Sequence, residues 1–247
     1  MKGICISKEA TIQELKAVEL PEKTQSYNPV SPDWVVDYVE NNIAGSLKNL
    51  YGYELKSNHF GLSRHGQYLF GMASFENGRD DIGSCIAYRN SYNKFFSVGF
   101  AFGAQVFVCE NGMLTGELIV AKKHTMDVYE GITERVGEAI GMAKSNFDLI
   151  GDAVDSFKEC EVSENMGFQV LGYLRGVNAL GPRVYEKALQ EFKKPSYEEH
   201  QDGSLMQVYN SCTEALKIVR YPNKAINYRL KLHEEMLTVK KMAFPKA

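Results

Sequence analysis

The chain has 247 residues, 44% of them hydrophobic, 24% charged and 11% aromatic, a balance that excludes a disordered, low-hydrophobicity polymer. That length supplies apolar material for one large core or two small ones. A formal net charge of -3 excludes a protein that coats polyanions through overall positive charge, and leaves room for a local basic groove.

Met1 to Ala10 contains no apolar core of signal-peptide length, so no export signal is expected. The longest strongly apolar run, Phe95 to Cys109, is interrupted by Gln105 and falls short of the roughly 20 residues a helix needs to cross a bilayer. No membrane partner is expected. The cysteines Cys5, Cys85, Cys109, Cys160 and Cys212 are odd in number, widely spread and free of any CxxC pair. Buried thiols in a reducing cytoplasm fit that usage better than a disulfide framework.

Residues 1–30, with Pro21 and Pro29, read as an irregular N-terminal arm. Ser31-Pro32-Asp33 then supplies a helix cap with proline at the first helical position. Trp34, Val35, Tyr38, Val39 and Ile43 follow at helical spacing, and Gly45 or Gly52 offers an end. Gln67 to Phe75 and Gly83 to Tyr88 read as strands, with Gly78 and Asp80-Asp81 as a solvated turn between them. The polar cluster Arg89-Asn90-Ser91-Tyr92-Asn93-Lys94 separates them from a strand of period two. Phe96, Val98, Phe100, Phe102, Ala104, Val106 and Val108 form its large face. Its small face, Ser97, Gly99, Ala101, Gly103 and Gln105, leaves space for a helix, another backbone or a ligand. Asn111-Gly112 is a hairpin-turn signal, and Leu114 to Val120 the returning strand.

Beyond His124 the pattern is helical. Val128 or Tyr129, then Ile132, Val136, Ala139, Ala143, Phe147, Ile150, Val154 and Phe157, make one long apolar stripe. Shorter helices are predicted over Glu164 to Arg175, Gly181 to Phe192, Ser204 to Arg220 and Asn223 to Lys241. Lys193-Lys194-Pro195 is the linker signal. The expected fold is therefore α+β: an antiparallel strand meander packed by a long helix within residues 31–193, then a helical C-terminal segment, 194–247.

Phosphate-loop, dinucleotide, HExxH and CxxC motifs are absent from the sequence. Ser63-Arg64-His65 is no nucleophile elbow. The adjacent carboxylates Asp80-Asp81, Glu198-Glu199 and Glu234-Glu235 point apart on any regular element, so they make no acid/base pairs. No catalytic residue, metal or cofactor is expected. The basic C-terminal helix, with Lys224, Arg229, Lys231, Lys240 and Lys241, reads first as a solvated face, and alternatively as a surface that holds a strand or docks on a neighbouring subunit.

The cluster before the period-two strand mixes the residue types that hold nucleic acid. Arg89 and Lys94 suit phosphates, Asn90 and Asn93 suit base edges, and Tyr92 suits stacking. An ordinary hairpin loop has the same composition. Lys122, Lys123 and His124 follow the next strand, and in an antiparallel meander both groups fall at the same edge of the sheet.

Four blocks carry a family resemblance: Tyr27-Asn28-Pro29-Val30-Ser31, Arg89-Asn90-Ser91-Tyr92, Phe107-Val108-Cys109-Glu110-Asn111-Gly112 and Lys122-Lys123-His124-Thr125. With Asn210-Ser211-Cys212-Thr213-Glu214 near the end, their order resembles the phage- and plasmid-like domain-of-unknown-function family nine-three-two. Glu110 stands where Asp or Ser is common there, and Tyr209 where Trp is frequent. The resemblance implies a protein of mobile elements, active in replication, recombination or interference with host defence. The order of strand meander and long helix is also similar to the core of phage single-strand annealing recombinases.

These observations lead to the expectation of a non-enzymatic, phage- or plasmid-encoded protein that binds single-stranded nucleic acid, with strand annealing as a possible task and a homo-oligomer as its form. Its contacts would be Arg89, Asn90, Tyr92, Asn93, Lys94, Lys122, Lys123 and His124. One rival is an interaction module that blocks a host protein. The other is a nucleic-acid or nucleotide enzyme in which His65, His124 and Cys109 converge.

Overall fold

The computed structural model describes residues 9–63, 66–106, 111–219 and 221–244. The arm contains a short helix, α1 (Ile12–Lys16), closed by a reciprocal cap between Thr11 and Glu14. It is therefore not irregular throughout. Ser31 caps α2 (Pro32–Asp37) by accepting from the Trp34 amide. The helix continues through a π-helical stretch, Tyr38–Ile43, into α3 (Ala44–Tyr51). It passes Gly45 and stops at Gly52, whose φ of 73° is the left-handed conformation that ends helices cheaply only at glycine.

The strands are β1 (Glu54–Ser63), β2 (Tyr68–Glu76), β3 (Ile82–Ser91), β4 (Val98–Val106) and β5 (Asn111–Lys122). They form one antiparallel sheet in the order β1-β2-β3-β4-β5, the meander expected from the sequence. β1 was not among the predicted strands. It is a half-exposed edge strand, and Lys56, Asn58 and His59 blur its alternation. Arg89, Asn90 and Ser91 belong to β3 itself, so the turn is shorter than the polar cluster. Asn111 and Gly112, expected as a turn, begin β5 opposite Val106 and Gln105. Phe107, Val108, Cys109 and Glu110 lie outside the described residues, as do Arg64 and His65.

One face of the sheet presents Leu69, Phe75, Ile86, Tyr88, Val98, Phe100 and Phe102 to α2, α3 and the first half of α4 (Val128–Lys158). Tyr88 crosses β2 at Gly71 and donates to Asn58 Oδ1 at 2.7 Å. A Cβ at position 71 would lie 2.1 Å from the Tyr88 ring, so only glycine fits there. The other face carries Tyr68, Phe70, Met72, Cys85, Ala87 and Ala101, covered in part by Ile226 and Leu230 of α8 (Pro222–Ala243). A helix thus occupies the small face of β4. Phe96 precedes β4 and packs on this second face, not with Val98 and Phe100.

At 31 residues and about 1.5 Å each, α4 is roughly 46 Å long and reaches beyond the sheet. Its last turns, through Ile150, Val154 and Phe157, enter a further core with α5 (Glu164–Gly176), α6 (Pro182–Lys193), α7 (Leu205–Ala215) and α8. Helices before and after the Lys193-Lys194-Pro195 linker share this core. Where β2 turns into β3, Arg79 holds Asp81 at 3.1 and 3.0 Å and Asp155 of α4 at 2.8 and 2.7 Å, and Lys158 reaches Asp81 at 2.6 Å. Asp81 is therefore more than a solvated turn residue: it is part of a clamp between sheet and helix. These hydrogen bonds hold its carboxyl far below the usual range despite partial burial. Among the described residues, no helix is long and apolar enough to cross a membrane.

Candidate nucleic-acid interface

Register brings the two basic groups together. Val98 lies opposite Lys122, and Tyr68 opposite Ser91, so the β1–β2 turn, the β3–β4 turn and the junction from β5 to α4 share one end of the sheet. The segment Tyr27–Ser31 straps this end. Asn28 donates from its backbone to the His124 carbonyl at 2.9 Å and from its side chain to that of Met126 at 3.3 Å. The Asn90 amide donates to the Val30 carbonyl at 2.7 Å, and the Val30 N–H donates to His124 Nδ1 at 3.3 Å. Tyr27 donates to the Tyr92 carbonyl at 3.0 Å, and Tyr129 to that of Pro29 at 3.1 Å.

Three of the sequence blocks therefore interlock through the backbone of one residue, Val30. This has a consequence for Asn90, Tyr92 and His124, which are only 0%, 5% and 6% exposed. Their side chains are turned inward under the strap and present no surface to a base or phosphate, contrary to the contacts expected of them. Because Val30 donates to Nδ1, the neutral His124 ring carries its proton on Nε2. That Nε2, Asn90 Oδ1 and the Tyr92 hydroxyl have no hydrogen-bond partner among the described residues, a set of donors and acceptors of the kind that ordered water satisfies in protein interiors. Burial lowers the His124 pKa, with the Asn28 backbone near the ring acting in the opposite direction, and burial with nearby Asp33 pushes the Tyr92 phenol up.

Asn93, Lys94 and Lys123 are exposed, and Arg89 and Lys122 are half-buried. The β3–β4 turn is braced from within. Ser91 Oγ donates to the Phe96 carbonyl at 2.8 Å and accepts from the Phe96 N–H at 3.0 Å. Asn93 accepts from the Phe95 N–H at 3.1 Å and donates to the Tyr68 hydroxyl at 3.2 Å. Lys94 takes φ 62°, an uncommon conformation for a side-chain-bearing residue, and its ammonium lies 4.7 Å from the Tyr27 ring centroid. This turn holds Phe95 at 67% exposure, its ring 5.7 Å from that of Tyr68. The Arg89 guanidinium stands 5.2 Å from the Phe96 ring centroid, and burial lowers its pKa. Lys122 is engaged by Asp127 at 2.6 Å, which leaves Lys94 and Lys123 as outward cations of this tip among the described residues.

Phe95 was not singled out in the sequence. The signal available was the Phe95-Phe96 pair next to Lys94, because a short turn cannot bury two successive aromatic side chains.

The remaining motifs are structural. Asn210, Ser211, Cys212 and Thr213 are buried in α7, and Arg229 of the basic helix is buried as well. Burial raises the Cys85 thiol to about 12 and raises Cys212 further, which suits inert core thiols. His59, on the edge strand β1 at the opposite side of the sheet from β5 and His124, pairs with Glu9 at 2.9 Å. Among the described residues, no group of three His, Cys, Asp or Glu side chains is placed to hold a metal ion.

No family model matches the chain, and no curated protein or solved structure compared with it does so either. None of these comparisons supports the resemblance to family nine-three-two.

Proposed function

We propose that the chain binds single-stranded nucleic acid, without chemistry, across the tip formed by Asn93, Lys94, Phe95, Arg89 and Lys123. The observation that carries this reading is Phe95, a large aromatic ring next to Lys94 in sequence, held out to solvent by a turn that Ser91 and Asn93 brace. Exposed aromatics among lysines and arginines are how proteins stack bases while neutralising the backbone, and this needs no nucleophile, metal or nucleoside triphosphate. Strand annealing, in a phage or plasmid setting, is the extension of the reading in which an oligomer presents several such tips along one strand.

The test is fluorescence anisotropy with labelled single- and double-stranded oligonucleotides over a salt series, with mass read by light scattering. Wild type is expected to prefer the single strand. Each phosphate neutralised on a single strand contributes about 0.7 to the slope of log affinity against log salt, so Lys94→Ala with Lys123→Ala flattens it by about 1.4. Phe95→Ala lowers affinity and leaves the slope. Absence of binding at low salt, or a slope indifferent to both lysines, overturns the proposal and directs the search to a host protein partner.

A further inference from the structure

Behind the tip, on the second face of the sheet, α8 does not close completely against β4 and β5. A hollow of ≈ 80 Å³ remains, open on one side. Its floor exists because Ala87, Gly99 and Ala101 are small; a larger side chain at any of them would fill it. Ile226 and Leu230 of α8 form one wall, and Ile119, itself 45% exposed, forms the other. Two polar side chains stand at the lining, Arg89 from β3 and Asn227 from the exposed side of α8.

The chemistry of this hollow is specific. Its interior is apolar and its volume is about half that of a roughly 150 Å³ apolar cavity that takes up a whole benzene molecule. It therefore has room for the edge of one six-membered ring and not for an enclosed ligand. A guanidinium beside such a space selects a ligand with an anion next to its ring, and a side-chain amide offers both a donor and an acceptor to a ring edge. Arg89 also belongs to the tip, through its place beside Phe96 in the braced turn. We propose that the hollow receives the edge of one unstacked base of a single strand, with that nucleotide's phosphate on Arg89 and the Asn227 amide against the base edge.

This inference rests on the reading of the tip as a single-strand site and adds to the preference that stacking on Phe95 gives. Phosphate contacts at Lys94 and Lys123 by themselves would accept a duplex as readily as a single strand. A base can enter the hollow only when it is unpaired, so the hollow adds a second point of discrimination.

The experiment compares oligothymidylate with an abasic strand of equal length, bound to wild type, Ala101→Leu and Asn227→Ala. Ala101→Leu fills the hollow; Asn227→Ala changes only an exposed helical residue and keeps the test informative if the first variant fails to fold. A base contact of about 1 kcal/mol or more corresponds to roughly fivefold in affinity. Both variants are therefore expected to bind oligothymidylate roughly fivefold or more weakly than wild type, and the abasic strand as wild type does. Folded variants that bind oligothymidylate with wild-type affinity overturn the hollow while leaving the tip intact. Wild type that binds neither strand at low salt overturns both.

Discussion

His233 tests how firmly the C-terminal core is built around an uncharged imidazole. It lies on α8, 5% exposed, with Nδ1 3.2 Å from the Tyr209 hydroxyl. Burial lowers its pKa from 6.5 to about 4. In the unfolded chain the ring titrates near its ordinary value, so between these two pKa values the unfolded chain binds a proton that the folded chain refuses. Stability is complete above pH 6.5 or so and falls as the pH drops towards the folded value. For that pair of pKa values the loss is about 2 kcal/mol between pH 7 and pH 5, and about 3 kcal/mol by pH 4. Against a total stability of about 5–15 kcal/mol this is a large share. Burial lowers the pKa of His124 and His200 as well, so the whole chain loses more than the His233 share. The measurement is urea unfolding at pH 7 and pH 5 at fixed ionic strength, for wild type and His233→Gln, whose amide can still meet Tyr209 but does not titrate. The drop in unfolding free energy on acidification should be smaller in the variant by about 2 kcal/mol. Equal drops in the two proteins would refute the buried, neutral imidazole.

Gly71→Ala should destabilise the sheet by about 1–3 kcal/mol, because the added methyl meets the Tyr88 ring, and removing that ring in Gly71→Ala/Tyr88→Ala should make the two changes strongly non-additive in a double-mutant cycle. Additive losses would show that the two side chains do not compete for one space. Asn90→Ala leaves the Val30 carbonyl without its donor and should cost about 1–3 kcal/mol in thermal or urea unfolding while leaving oligonucleotide affinity of the folded protein unchanged. A loss of affinity with unchanged stability would return Asn90 to the binding surface.

The fold was legible where one residue pattern had one physical meaning. The α4 stripe from Val128 to Phe157 matches the observed buried face almost position for position, since a period of 3.6 sustained over that length fits nothing but a helix. The small face of β4 announced a close neighbour, and α8 is there. β1 was illegible because an edge strand is half solvated and tolerates lysine, asparagine and histidine along it. The candidate site was legible in a different and more limited sense. Local composition at Arg89-Asn90-Ser91-Tyr92-Asn93-Lys94 marked a place where polar side chains concentrate, but composition does not carry direction. Strand pleat turns Asn90 inward and Arg89 outward, and the strap that makes use of Asn90 comes from a segment 60 residues earlier. Whether a polar residue in a turn meets solvent or locks the chain is decided by what packs over it, which is long-range information. The same logic separates the lysines: Lys122 is drawn to Asp127 by the start of α4, and Lys123, its neighbour in sequence, is left facing out. A single-strand site on this protein thus depends on the strap twice over. The strap hides the asparagine, tyrosine and histidine that first drew notice, and its Tyr27 supports the lysine beside the exposed phenylalanine, so loosening the strap at Tyr27 should disturb strand binding without removing a single contact to the strand.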